Sequence, residues 1–258
     1  MSPRYAIYLA PEPGTPLWQL GSALLGYDAA TGHDLPFPEV PGIDPDVWRA
    51  LTEDPRRYGF HLTLKAPFRL ADGVTVAGLE EALTAFVAQR QDLDGVRFGI
   101  EIRHYADGTG FVCLAPAGPA PDLSALEAAV VPHFDHFRAP LSEQEKARRK
   151  PATLPERERH YLNRFGYPFV LDAFRPHFSL TGRHAEPERT ASALTEVIMQ
   201  EPGVMKFAPK TLVLFEQPDS ASRFVIRRAF KLGDASKSTS EDQGGGAPAK
   251  PVPGSNKS

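Results

Sequence analysis

Polar and apolar side chains alternate residue by residue along Phe60-His-Leu-Thr-Leu-Lys-Ala-Pro67. A period of two predicts a strand that carries His61, Thr63 and Lys65 on one face and Leu62 and Leu64 on the other. The same alternation returns in His177-Phe-Ser-Leu-Thr181. Around these two segments the pattern is mixed. Arg4 to Ala10 is aromatic and aliphatic and stops at Pro11, which suits a first strand. Thr15-Pro16 and Asp44-Pro45-Asp46 each precede spaced apolar residues, so both predict helix starts, with a side-chain cap and proline in the first turn. After Gly73, Leu79, Leu83, Phe86 and Val87 follow helical spacing. Strands over Val96 to Arg103 and Gly110 to Ala115 come next, joined by an Asp107-Gly108 turn.

The order then repeats. The His177 segment leads to a helix with Leu194, Val197 and Ile198 after Pro187, and to two strands, Thr211 to Phe215 and Arg223 to Phe230, paired across Gln217 to Ser220. The fold class expected is therefore α+β. Two duplicated strand-helix-strand-strand lobes, related by a pseudo-twofold and opening at about residues 60 and 176, would line a central cleft with antiparallel sheets and keep helices outside. Between the lobes, an amphipathic helix near Leu123 to Phe137 and a charged segment from Ser142 to Arg164 predict a helical connector over about 120–165, with its charge run as a solvated face.

Composition changes this picture at one end. Residues 233–258 contain no aromatic side chain and are dominated by Gly, Ser, Pro and Lys, so a disordered tail is expected there, leaving one bilobal domain over 1–232. That domain holds all 16 Phe, all 7 Tyr and both Trp, enough for a large core. The net charge of -3 argues against duplex nucleic acid as a partner, which asks for clustered positive charge. The single cysteine, Cys113, lies in an apolar run and excludes both a disulfide framework and a Cys-ligated zinc site. No stretch is long and apolar enough for a membrane span, and the amino-terminal residues lack a signal-peptide core. A cytoplasmic monomer without a membrane partner is expected.

The chemistry sits in the two alternating segments. A hydroxyl two residues after a histidine is expected roughly once by chance in such a chain; apolar residues at the other two positions lower that to roughly 0.1. Two are present, His61-Leu-Thr-Leu64 and His177-Phe-Ser-Leu180, each opening a repeat. Side chains at i and i+2 of a strand share a face, so each imidazole is accompanied by a hydroxyl. Two imidazoles titrating near neutrality can divide the work of base and acid. Thr63 and Ser179 can bond the non-bridging oxygens of a phosphoryl group, and Lys65 can offset the charge that accumulates there. His133 and His136, three apart, have no acidic partner motif that would complete a metal site.

Paired His-x-Ser/Thr-x motifs in a duplicated α+β domain resemble those of the two-histidine (2H) phosphoesterase superfamily. Arg4-Tyr-Ala-Ile-Tyr-Leu-Ala-Pro11, His61-Leu-Thr-Leu-Lys-Ala-Pro-Phe68, Tyr161-Leu-Asn-Arg-Phe-Gly-Tyr-Pro168 and Arg175-Pro-His-Phe-Ser-Leu-Thr-Gly182 look most like its bacterial branch found with phosphonate-utilisation genes. The resemblance spans about residues 3–232. It implies a cleft between two lobes, no metal or other cofactor, and hydrolysis of a small cyclic phosphate: a ribose cyclic phosphate or a 2′,3′-cyclic nucleotide. A non-catalytic nucleotide or RNA-end binding module and an RNA 2′-5′ ligase-like enzyme are the alternatives. The near symmetry of the motifs does not say which histidine is base and which is acid.

Overall fold

The computed structural model describes residues 2–200 and 205–233. The chain opens with β1 (Arg4–Leu9) and α1 (Pro16–Leu25), then a short ribbon of β2 (Tyr27–Asp28) and β3 (His33–Asp34). Next come α2 (Pro45–Leu51), α3 (Glu53–Arg56), β4 (Leu62–Phe68), α4 (Val76–Ala88), β5 (Val96–His104) and β6 (Gly110–Pro116). After these follow α5 (Pro121–His133), α6 (Glu143–Arg148), α7 (Glu156–Phe165), β7 (Phe178–Ser179), α8 (Pro187–Met199), β8 (Lys206–Phe207), β9 (Thr211–Gln217) and β10 (Val225–Lys231). Both proline start signals fall where the residues place them, at Pro16 and Pro45, and the Asp44 carboxylate accepts from the amides of Asp46 and Val47. The expected tail lies, apart from Gly233, outside the described residues.

The fold is a mixed α/β arrangement built on an antiparallel sheet. Two separate sheets, one per lobe, were expected; the described strands apart from the β2–β3 ribbon instead form one eight-stranded run in the order β10-β9-β1-β4-β7-β6-β5-β8. The histidine strands meet in its middle, where β4 pairs with β7 through Leu62 and Phe178. The hairpin that follows each histidine strand does not stay beside it. β6 pairs with β7, and β9 pairs with β1 next to β4, so each half completes the other's side of the sheet.

One face of the sheet carries the main core. Tyr5, Ile7 and Leu9 of β1, Leu62 and Leu64 of β4, and Phe178 pack there against Leu24 and Leu25 of α1, Leu79 and Leu83 of α4, Leu123 and Val130 of α5, and Leu194 and Ile198 of α8. The other side chains of β1, Ala6 and Tyr8, belong to a second, smaller cluster with Tyr27, Ala29, Phe215 and Phe224. β1 is thus buried on both faces, consistent with its lack of polar alternation. At the seam, the Phe60 ring stacks on Phe178 at 4.8 Å, and Gly21 of α1 lies so close that a Cβ there would sit 2.4 Å from the Phe60 ring. Among the described residues no helix is long and apolar enough to cross a membrane.

Candidate active site

The face opposite the main core holds a cleft of about 340 Å³. His61, Thr63, His177 and Ser179 all line it. Local backbone explains how each imidazole is aimed. His61 Nδ1 lies 2.9 Å from the Gly59 carbonyl oxygen, and His177 Nδ1 lies 2.7 Å from the Arg175 carbonyl oxygen, in both cases two residues back along the chain. Each neutral ring therefore carries its proton on Nδ1 and presents a bare Nε2. At His61 that Nε2 accepts from the Thr63 hydroxyl at 3.2 Å. Gly59 is required for this turn: its φ is +77°, and a Cβ would meet the Ala29 Cβ at 2.6 Å.

The two imidazoles have different neighbours. His61 lies flat on the Tyr8 ring, with centroids 3.7 Å apart and planes at 22°. His177 lies beside Phe111, and the guanidinium of Arg103 comes within 3.3 Å of its Nδ1. Burial pulls both imidazoles down to about 4; at His61 the neighbouring His177 adds to the effect, and at His177 the Arg103 charge does.

Lys65 is a correction. The alternation puts it beside Thr63, yet it lies on the opposite face, 3% exposed, with its ammonium donating to the Val131 carbonyl and the Asp135 carboxylate, both at 3.1 Å. The cause is a register shift between β1 and β4. Tyr8 pairs with Thr63 and Ile7 with Lys65, so Leu64 is an extra residue on β4 and the side-chain period slips by one. Burial pulls the Lys65 ammonium down to about 8, and Asp135, which also bonds Arg138 and Arg164, keeps it paired. Lys65 is a structural charge of the core and does not reach the cleft.

Other residues of the cleft carry no motif. Arg4 and Arg149 line it, and neither has a carboxylate partner among the described residues; Arg149 also sits over the ring of Tyr167. The run from Ser142 to Arg164, expected as a solvated face, thus sends one arginine into the site. Arg103 had a readable signal: in β5 it alternates with Phe98, Ile100 and Ile102, which face the main core. Beside the cleft, and sharing Thr63, Tyr105, Phe111, Tyr167 and His177 with it, lies a mostly apolar pocket of about 210 Å³ that adds Phe169 and Phe174. Cys113 pairs with Ser179 in register but is fully buried, and burial pushes its thiol up to about 12. His133 and His136 pack on Phe86 and Phe137, and among the described residues no cluster of three His, Cys, Asp or Glu side chains comes together.

Comparison with known proteins gives three findings. Residues 63–225 match the family described as "Protein of unknown function (DUF1045)". The chain is similar to two proteins named "Ribose 1,5-bisphosphate phosphokinase PhnN". The one from Janthinobacterium sp. (strain Marseille) is 39% identical over 180 residues, covering 69% of this chain and 38% of that protein. The one from Laribacter hongkongensis (strain HLHK9) is 32% identical over 233 residues, covering 89% of this chain and 52% of that protein. The chain thus spans about half or less of the curated relatives it matches. Among solved structures, Usb1 of Kluyveromyces marxianus aligns with 87% of this chain and 96% of its own at 9% identity and a TM-score of 0.33, too remote a likeness to weigh in any reading.

Proposed function

The chain belongs to the DUF1045 family, and we propose that it is a phosphoesterase of the two-histidine kind that opens a small cyclic phosphodiester by general acid and base catalysis. The observation that carries this reading is the matched pair of imidazoles: His61 and His177, each the residue just before one of two strands that pair with each other, each tied by Nδ1 to the carbonyl two residues back, each followed two residues on by a hydroxyl, all lining one cleft. The equivalence of the two settings also supports reading the halves as copies related by a pseudo-twofold.

In the proposed reaction one Nε2 takes a proton from water as the water oxygen bonds to phosphorus. The other, as an imidazolium, gives its proton to the sugar oxygen as the bond from phosphorus to that oxygen breaks. Thr63 and Ser179 donate to the non-bridging oxygens. An anionic phosphate entering the cleft favours the imidazolium form, so substrate itself raises the pKa of the acid from about 4. Every group in this scheme belongs to the chain, and no metal ion or other cofactor is called for.

Two substrate classes are proposed for the cleft. The relatives' printed name concerns ribose 1,5-bisphosphate, which supports a phosphorylated ribose, and the resemblance of the motifs to the branch found with phosphonate-utilisation genes adds a place in phosphonate breakdown; the relatives' kinase activity is not carried over, because the match covers so little of them. The apolar pocket beside His177, with Tyr105, Phe111, Tyr167, Phe169 and Phe174, favours a substrate with a flat apolar part, such as a 2′,3′-cyclic nucleotide. Turnover of ribose 1,2-cyclic phosphate and of the four 2′,3′-cyclic nucleotides, with and without EDTA, tests the reading. Hydrolysis of at least one that survives chelation is expected. Binding of all without turnover would leave a non-catalytic module instead.

A further inference from the structure

Arg103 reaches from β5 to the backbone that carries His177. Its guanidinium donates to the Arg175 carbonyl at 3.2 Å and to the Pro176 carbonyl at 3.3 Å, and its Nε donates to the Glu101 carboxylate at 2.9 Å. Its Nη1 also lies 3.3 Å from His177 Nδ1. That last approach is not a hydrogen bond, because Nδ1 already directs its own N–H at the Arg175 carbonyl, 2.7 Å away. What remains is a positive charge against the N–H edge of an imidazole, in a side chain only 18% exposed. Such a contact disfavours a second proton on that ring.

His61 has the opposite surroundings. Its ring lies on the face of Tyr8, whose π-electron density attracts a cation, and its Nδ1 meets only the Gly59 carbonyl. The two rings are therefore matched in tautomer but not in their tolerance of positive charge. The titratable and charged groups around His177 are Arg103 and Glu101 from β5, His104 and Tyr105 at its end, Arg175 from its own segment, and, lining the same cleft, His61, Arg4, Asp54, Tyr58, Arg149, Tyr167 and Arg183. Of these Arg103 is the cation in contact, and Glu101 holds its Nε end and partly offsets its charge.

We propose that Arg103 is a positioning residue that sets the direction of proton transfer: it holds His177 as the neutral base and leaves His61 to act as the acid. This rests on the phosphoesterase reading above. Balance is kept as follows. His177 Nε2 gains the proton of the attacking water, His61 Nε2–H gives one to the leaving sugar oxygen, and exchange with solvent then restores both rings.

The test is an NMR titration of both imidazoles in the full chain, for wild type, Arg103→Met and Glu101→Gln, with steady-state kinetics on 2′,3′-cyclic AMP and ribose 1,2-cyclic phosphate in parallel. Arg103→Met is expected to raise the His177 titration by about one pH unit with little change at His61, the scale of one lost contact charge. It is also expected to lower kcat about tenfold with KM nearly constant. Glu101→Gln, an exposed change that spares the fold, is expected to move His177 the other way. The inference is overturned if His177 titrates unchanged in both variants, or if His61 is the ring that moves. Wild type without turnover on either substrate would sink the phosphoesterase reading alone, since the titration still decides whether Arg103 governs the charge of His177.

Discussion

Thr63 and Lys65 stand two residues apart on one strand and face opposite sides of the sheet. Thr63 bonds His61 in the cleft, while Lys65 is paired with Asp135 beneath the helices. The extra residue, Leu64, separates them. A cation that looked like part of the phosphate site is thereby assigned to the core, and the assignment can be checked.

Replacing Lys65 with Met removes one of the three cations on Asp135 and leaves Arg138 and Arg164 in place, so it should cost about 1.5–3 kcal/mol of stability, the scale of a lost hydrogen bond to a charged group. Activity per folded molecule should stay within about threefold of wild type, where loss of a phosphate-binding cation would cost about a hundredfold or more. Denaturant melts alongside kcat on the best substrate separate the two outcomes.

Gly59 sets the His61 ring through its carbonyl and has a φ that other residues adopt only under strain. Gly59→Ala should lose about 1–3 kcal/mol of stability and roughly tenfold in kcat, because the backbone must shift to relieve the Ala29 contact. An alanine variant with native stability and kcat would show that the turn does not aim the ring.

The pH profiles of the two kinetic constants should differ. With both imidazoles near 4 in the free protein, the form with one proton on the pair is most populated in acid, so kcat/KM should fall as pH rises above about 5. Bound phosphate raises the acid's pKa, so kcat should hold to higher pH than kcat/KM. Two superimposable profiles would contradict the idea that substrate charges the acid.

Glu127 has no exposure; one carboxylate oxygen accepts the Leu171 amide at 2.9 Å, while Oε1 has no partner among the described residues. Burial pushes this carboxyl up to about 7, above its unfolded value of about 4.3. The protonated form therefore favours the fold. Its contribution is greatest below about pH 4.3, declines as pH rises to about 7, and is level beyond. Glu127→Gln keeps an acceptor for Leu171 and should flatten that slope, gaining about 1–3 kcal/mol at pH 8 and nothing at pH 4. Urea melts of both proteins at several pH values give the difference directly.

The alternating segments and the proline-marked helix starts were legible because each is a local pattern. The alternation of His61 with Thr63 and of His177 with Ser179 led to residues that share one cleft. What stayed hidden depended on partners distant in sequence. The slip at Leu64 has no signature in β4, since it exists only in the pairing with β1. Arg149 sits in a run of charges with nothing to mark it, and only the path of the chain from α6 to α7 brings it over the cleft. Likewise the exchange of hairpins between halves, which merges two expected sheets into one, is decided by which edges meet.

The central claim is most directly tested by kcat on the best cyclic phosphate for His61→Gln, His177→Gln and the double variant, each confirmed as folded. Each single change should lower kcat at least about a hundredfold, and the double variant should be little worse than either, as expected of residues that act as a unit. Single variants that keep most of the wild-type rate would contradict it.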